Sequence, residues 1–220
     1  MISAKKFWQE WRGFFIFMLL MFLFRSAVAD WYEVPTGSMK PTIIEGDRIF
    51  VNKLAYKLRV PFTLIPIASW DAPKHNDIVV FDSPVEAQRL IKRVVGLPGD
   101  KIEIINNQLY VNNVVAQYHT ADQTPVLKYW EDSNDKPELL NETFDGKEHR
   151  ITILPRRDSP ARNFGPYVVP AQHYFMMGDN RDNSADSRYI GPVDQKYILG
   201  RANSVILSFS HSERYLQALQ

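Results

Sequence analysis

Residues 13–24 carry no charge and consist almost entirely of Phe, Leu, Ile and Met. A run of this kind either crosses a bilayer as a helix or forms the core of a leader that is cut away. Trp8 and Trp11 precede it and Trp31 and Tyr32 follow it, as expected for rings seated at two membrane interfaces. Trp11 to Trp31 is 21 residues, roughly 30 Å of helix and about one bilayer core. Lys5, Lys6 and Arg12 lie before the run, and Asp30 and Glu33 after it. The positive-inside rule then leaves the N-terminus in the cytoplasm and the remainder outside. A cleavable secretory signal fits the same residues, with a basic start, a short apolar core and Ala27-Val28-Ala29 ahead of Asp30. Arg25 is awkward in both readings, because a charge at that depth must snorkel or find a partner. In both, the bulk of the chain is exported.

The 220 residues leave room for one domain with a sizeable core and a smaller insertion. Twenty-six basic and 25 acidic residues nearly cancel, which argues against a nucleic-acid binder. With no cysteine, disulfides, thiolate zinc sites and a cysteine nucleophile are excluded. Fourteen prolines and ten glycines, set among short Val/Ile-rich runs, favour strands and turns over a helical bundle. Residues 47–53, 77–81, 90–95, 174–177 and 201–210 read as strands, and 101–115 as a hairpin around Asn106-Asn107. Residues 60–70 hold Phe62, Leu64, Ile65, Ile67 and Trp70, broken by Pro61 and Pro66. The first reading of this segment is a loop packed in the core; the second is an apolar flap resting on the bilayer. Residues 118–162 are polar, mixed in charge and weakly periodic, which predicts an insertion with long loops outside the catalytic machinery.

Two places carry chemistry. Just beyond the apolar run stands Val34-Pro35-Thr36-Gly37-Ser38-Met39-Lys40-Pro41, and Lys92 lies within Leu90-Ile91-Lys92-Arg93-Val94-Val95. Serine is a poor nucleophile until a base takes its proton. Lysine is that base only where burial lowers its pKa. If 90–95 is a strand, Leu90, Lys92 and Val94 share a face, and the lysine's neighbours there are aliphatic. The alternative is a strand lysine whose ammonium reaches solvent, an alternative that Arg93 beside it favours. Thr36 and the Ser38 N–H are placed to face a developing oxyanion. Thr36 stands where the α/β-hydrolase elbow needs glycine, and Pro41 breaks the Ser-x-x-Lys pattern.

The densest polar cluster runs from Gly178 to Tyr189. Counted from Asn180 as a calcium loop, it offers Ala185 where glycine is required and Gly191 where glutamate is. A loop locked by Asp–Arg pairs is the simpler reading, with a serine hydroxyl available to orient a lysine amine. The five histidines are scattered and none has a triad context. No metal or other cofactor is expected.

Four segments, in order, closely resemble the bacterial type I signal peptidases, or leader peptidases. They are Pro35 to Thr42 with Gly46-Asp47, then Asp77 to Phe81, then Ile91 to Asp100, then Gly178 to Arg188. The resemblance implies Ser38 as nucleophile, Lys92 as general base and Thr36 as the side-chain half of the oxyanion hole. It also implies a hydrogen bond from Ser184 to the lysine and a supporting pair formed by Asp186 and Arg188. The implied fold is a mainly antiparallel β catalytic domain shared with LexA-type repressors, on one transmembrane helix and with a small inserted subdomain. The corresponding division is 1–12 cytoplasmic, 13–31 anchor, 32–117 with 163–220 catalytic, and 118–162 inserted. The implied partners are the lipid bilayer and the signal peptides of exported preproteins, cut after small residues at positions −1 and −3. The implied location is the cytoplasmic membrane, with the catalytic domain on its outer side and the anchor retained. Many members carry serine at the position of Thr36, and some have two N-terminal spans. A self-processing serine–lysine protease and an exported non-catalytic binding module are the competing classes.

Overall fold

A computed structural model describes residues 4–85, 88–122, 130, 136–209 and 211–219. The N-terminal helix runs Ala4–Ala27, and its stretch Lys6–Ala27 is long and apolar enough to cross a membrane. Its outward side chains have no protein cover; Phe17 is 62% exposed and Leu20 60%. The helix stops at Ala27 and does not run past residue 29 as an anchor over 13–31 predicts. Ala29–Glu33 is already a strand, paired along its length with Asp47–Asn52. The ladder satisfies backbone groups that a longer helix would have kept for itself, so Trp31 and Tyr32 belong to the sheet. The junction also resolves Arg25. Its guanidinium lies 2.6 Å from Asp30 and stacks 4.2 Å from the Trp31 ring. Lys53 takes the helix's last carbonyls, with Nζ donating to Arg25 O at 2.8 Å.

The domain is built on one antiparallel sheet of seven strands. Its order is Ala29–Glu33, Asp47–Asn52, Ile198–Ser208, Ile78–Asp82, Arg89–Gly96, His173–Met177 and Val193–Asp194. Strict alternation of buried and half-buried residues along Asp47–Asn52 seats Ile49 and Val51 in the core. The last long strand begins three residues before the expected 201, and Ser210 lies outside the described residues. Lys53 starts a short 3-10 turn instead of ending the strand before it.

Three hairpins turn on two residues each. Asn106-Asn107 joins Lys101–Ile105 to Gln108–Val111, Asn112-Asn113 leads on to Val114–Val115, and Asp145-Gly146 joins Glu138–Phe144 to Lys147–Ile153. All six turn residues have positive φ, the demand of a type I′ turn that asparagine, aspartate and glycine meet most readily. Inserted residues 118–162, expected as long loops, contain a regular three-stranded sheet formed by Gln117–Thr120 and the last hairpin. Its residues 123–129 and 131–135 lie outside the described set. The weak sequence periodicity has a physical cause: Glu142 and His149 are polar residues buried on its inner face. Phe144 joins Val95, Ile102 and Phe175 in one core cluster, which fastens this sheet to the domain.

Residues 60–70 do not pack in the core. They form a ribbon, with Lys57–Arg59 paired to Pro66–Ser69, and Phe62, Ile65, Ile67 and Trp70 are 71%, 62%, 60% and 54% exposed. Tyr56, Phe81 and Ile198 are already packed together in the core cluster, which includes none of residues 60–70. The tip meets the N-terminal helix, since Phe62 N–H donates to Ser26 Oγ at 2.6 Å.

Candidate active site

Lys92 lies mid-strand in Arg89–Gly96, paired with Val79. Leu90 and Val94 share its face, as expected, and belong with Val79, Phe81 and Met176 to one apolar cluster. The side chain is 2% exposed. Burial pushes the amine down to about 8; Asp186 and Asp179 pull it up, and Arg188 reinforces the fall. Nζ stands 2.6 Å from Ser38 Oγ and donates to Ile91 O at 3.0 Å. The ammonium is therefore inside, and the snorkelling alternative fails. Arg93, whose charge favoured that alternative, is itself buried and grips Asp179 through Nε and Nη2, both at 2.8 Å.

Ser38 opens a turn between the first two sheet strands and is only half-buried. Its N–H donates to no described group, and Thr36 beside it is exposed with no hydrogen bond among the described residues. Both donors thus stay free within two residues of the hydroxyl along the chain. A Cβ at Gly37 would sit 2.4 Å from Glu45 Oε1, the end of a flexible side chain that can move aside. Glu45 is paired with Lys40 at 2.8 Å.

The turn is held from the Gly178-to-Arg188 loop. Asn180 N–H donates to Ser38 O at 3.0 Å, and its side-chain amide donates to Gly37 O at 3.1 Å. Gly178 passes so close that a Cβ would lie 2.4 Å from Ser38 O and 2.3 Å from Ser184 Oγ. Neither residue's contact with the serine turn is legible in the sequence. The only signal for them was their place in that polar cluster.

The loop is locked by Asp–Arg pairs. Asp179 takes Arg93, Asp182 takes Arg162 at 3.0 Å, and Asp186 takes Arg188 at 2.8 Å. Burial would raise the Asp186 carboxyl, but Arg188 holds it below its usual range; Arg93 does the same for Asp179. Asp186 also accepts from Gly178 N–H at 3.0 Å and caps the short helix Ser187–Ile190. The expected bond from Ser184 to Lys92 is not made. Ser184 Oγ is buried and makes no hydrogen bond to the amine; its side chain faces the Asp186 carboxylate, which it helps hold down.

The inserted sheet reaches this loop directly. Thr152 N–H donates to Asp179 O at 2.8 Å, and Arg181 N–H donates to Thr152 O at 2.9 Å. Glu142 takes both ends of the Arg181 guanidinium, at 2.7 and 2.5 Å, and accepts from Tyr118 Oη at 2.6 Å. Burial would raise the Glu142 carboxyl, yet Arg181 and His149 hold it well below the usual range. The insertion therefore braces the loop that holds the serine turn.

A β domain tethered by one apolar helix, with a hydroxyl held against a buried amine at its surface, has the outline of a membrane-anchored hydrolase. Residues 8–207 match the family described as signal peptidase, peptidase S26. A signal peptidase I of Buchnera aphidicola is 32% identical, covering 96% of this chain and 78% of its own length. That of Pseudomonas aeruginosa is 35% identical, covering 90% and 72%. A solved signal peptidase I from Enterococcus faecalis is 29% identical, covering 60% of this chain and 98% of its own, with a TM-score of 0.36. The chain belongs to the signal peptidase family, peptidase S26. Its activity is hydrolytic removal of signal peptides by a type I signal peptidase.

Proposed function

We propose that this peptidase works through Ser38 and Lys92 alone, without a histidine. The observation that carries the proposal is the 2.6 Å contact between Lys92 Nζ and Ser38 Oγ in a setting that lowers the amine to about 8. Neutral Lys92 takes the proton of Ser38 as Oγ bonds to the scissile carbonyl carbon. The negative oxygen that forms is met by the Ser38 N–H and the Thr36 hydroxyl. The ammonium then returns its proton to the leaving amine, the C–N bond breaks, and an ester to Ser38 remains. A water that gives its proton to Lys92 attacks that ester, and the ammonium passes this proton to Ser38 Oγ as the C–O bond breaks, freeing the serine and restoring the neutral amine. Asp186 and Arg188 support the Gly178 segment behind the amine, and Ser184 packs beside it.

The substrate on this reading is an extended signal-peptide end, cut after small residues at −1 and −3, because alternate side chains of an extended strand enter neighbouring pockets on one face. The anchor is retained and the domain faces the outer side of the cytoplasmic membrane; intact mass that begins at Asp30 would refute retention. The test of the dyad is single and double replacement. Ser38→Ala, Lys92→Met and the pair together lose activity to about the same extent, as groups acting in one unit do. Lys92→Arg is as damaging, since guanidinium keeps its proton. Substantial turnover by Lys92→Arg would remove lysine from the role of base.

A further inference from the structure

A cavity of about 460 Å³ opens where the membrane helix meets the domain. Four cations line it, Arg25, Lys53, Arg59 and Arg89, against two carboxylates, Asp30 and Asp82. Asp30 is shared by Arg25 and Lys53 at 2.6 and 3.0 Å, and Asp82 is held by Arg89 at 2.9 Å. Arg59 is left over. Arg59 is 9% exposed, its Nη2 donates to Ile198 O and to Lys196 O, and its Nε has no acceptor. Among the described residues no carboxylate lies within salt-bridge distance of it. A buried guanidinium without an anion is costly, and a bound anion is the direct remedy.

The setting identifies the anion's source. The Lys6–Ala27 span ends at this cavity, and 22 helical residues rise roughly 33 Å, about one bilayer core. The cavity therefore stands at headgroup depth. Phe22 of the helix and Phe62 and Leu64 of the ribbon also line it, giving apolar surface for the first methylenes of an acyl chain. The negative end of the helix dipole would oppose an anion here. Lys53 answers that field by donating to Arg25 O and Ser26 O.

We propose that this cavity binds the headgroup of an anionic phospholipid, with Arg59 as the buried contact to its phosphate and Arg89 at the rim. The site would fix the height of the catalytic domain over the bilayer and make its docking depend on lipid charge.

The test uses the full chain in detergent micelles, titrated with phosphatidylglycerol, phosphatidylcholine or inorganic phosphate and read by native mass spectrometry. Phosphatidylglycerol should be retained in preference to phosphatidylcholine, and inorganic phosphate should not displace it. Arg59→Gln should weaken phosphatidylglycerol retention about tenfold or more, the usual consequence of losing a charge-assisted contact. Arg89→Gln, at a side chain 41% exposed, should weaken it less and serves if Arg59→Gln does not fold. Equal retention of the two lipids, or unchanged retention in both variants, would overturn the proposal. Displacement by inorganic phosphate would overturn the lipid assignment, leaving a site for a soluble anion.

Discussion

Asn180 grips the serine turn at two points, through its N–H to Ser38 O at 3.0 Å and its side-chain amide to Gly37 O at 3.1 Å. A nucleophile on a turn has no ladder to fix it, so these two bonds set where Oγ meets the Lys92 amine. Asn180→Ala removes the second bond and leaves the first. Displacement of a reacting group by about 1 Å costs on the order of a hundredfold in rate. The expected result is a fall in kcat of about ten- to a hundredfold with KM little changed. A variant that loses KM alone would place Asn180 in substrate binding instead.

Lys92 should cost the fold stability while it serves the reaction. In the unfolded chain the amine keeps its ordinary value of 10.5, against about 8 when folded. Between those values the unfolded state holds more protons, so stability rises with pH across the window. Below it both states are charged and the full burial penalty stands. The gap corresponds to about 3 kcal/mol. Lys92→Met should therefore be more stable than the parent near neutral pH, by up to about 3 kcal/mol less the lost bond to Ser38. That advantage should fade as pH climbs through the window. Denaturation in detergent across this range checks both halves, and a variant no more stable at neutral pH would show that the amine is not desolvated.

The Thr36 hydroxyl is free among the described residues, as is the Ser38 N–H two residues on. Thr36→Val keeps the shape and removes the donor, and loss of one oxyanion donor costs about 2.7–4 kcal/mol of barrier. Thr36→Ser should remain active. Equal rates for the two variants would leave the oxyanion to backbone N–H groups.

The ribbon exposes Phe62, Ile65, Ile67 and Trp70 next to the membrane helix. An apolar patch of that kind calls for a partner, and the bilayer is the adjacent one. In a variant keeping Trp70 as its sole tryptophan, emission should be quenched by vesicles with brominated acyl chains. Emission indifferent to bromine would place the ribbon in water.

The sequence alone determined the local elements whose cause is local. An uncharged apolar run favours a helix long enough to cross a membrane, alternation of Val and Ile with polar residues dictates strands, and Asn-Asn pairs supply the left-handed turns that hairpins require. It also put Lys92 among Leu90 and Val94, because a strand's period is short and rigid. Tertiary structure decided everything that depends on which distant segments meet. Ser38 and Lys92 are 54 residues apart, and their separation of one hydrogen bond exists only because sheet pairing brings the strand beneath the turn. Arg93 looked like a reason for exposure until Asp179, far along the chain, cancelled its charge. The 60–70 ribbon read as core from composition, since apolar residues facing lipid and apolar residues facing protein have the same letters. The brace from Glu142 to Arg181 was illegible for the opposite reason. A buried ion pair looks like two surface residues until the fold takes both out of water together.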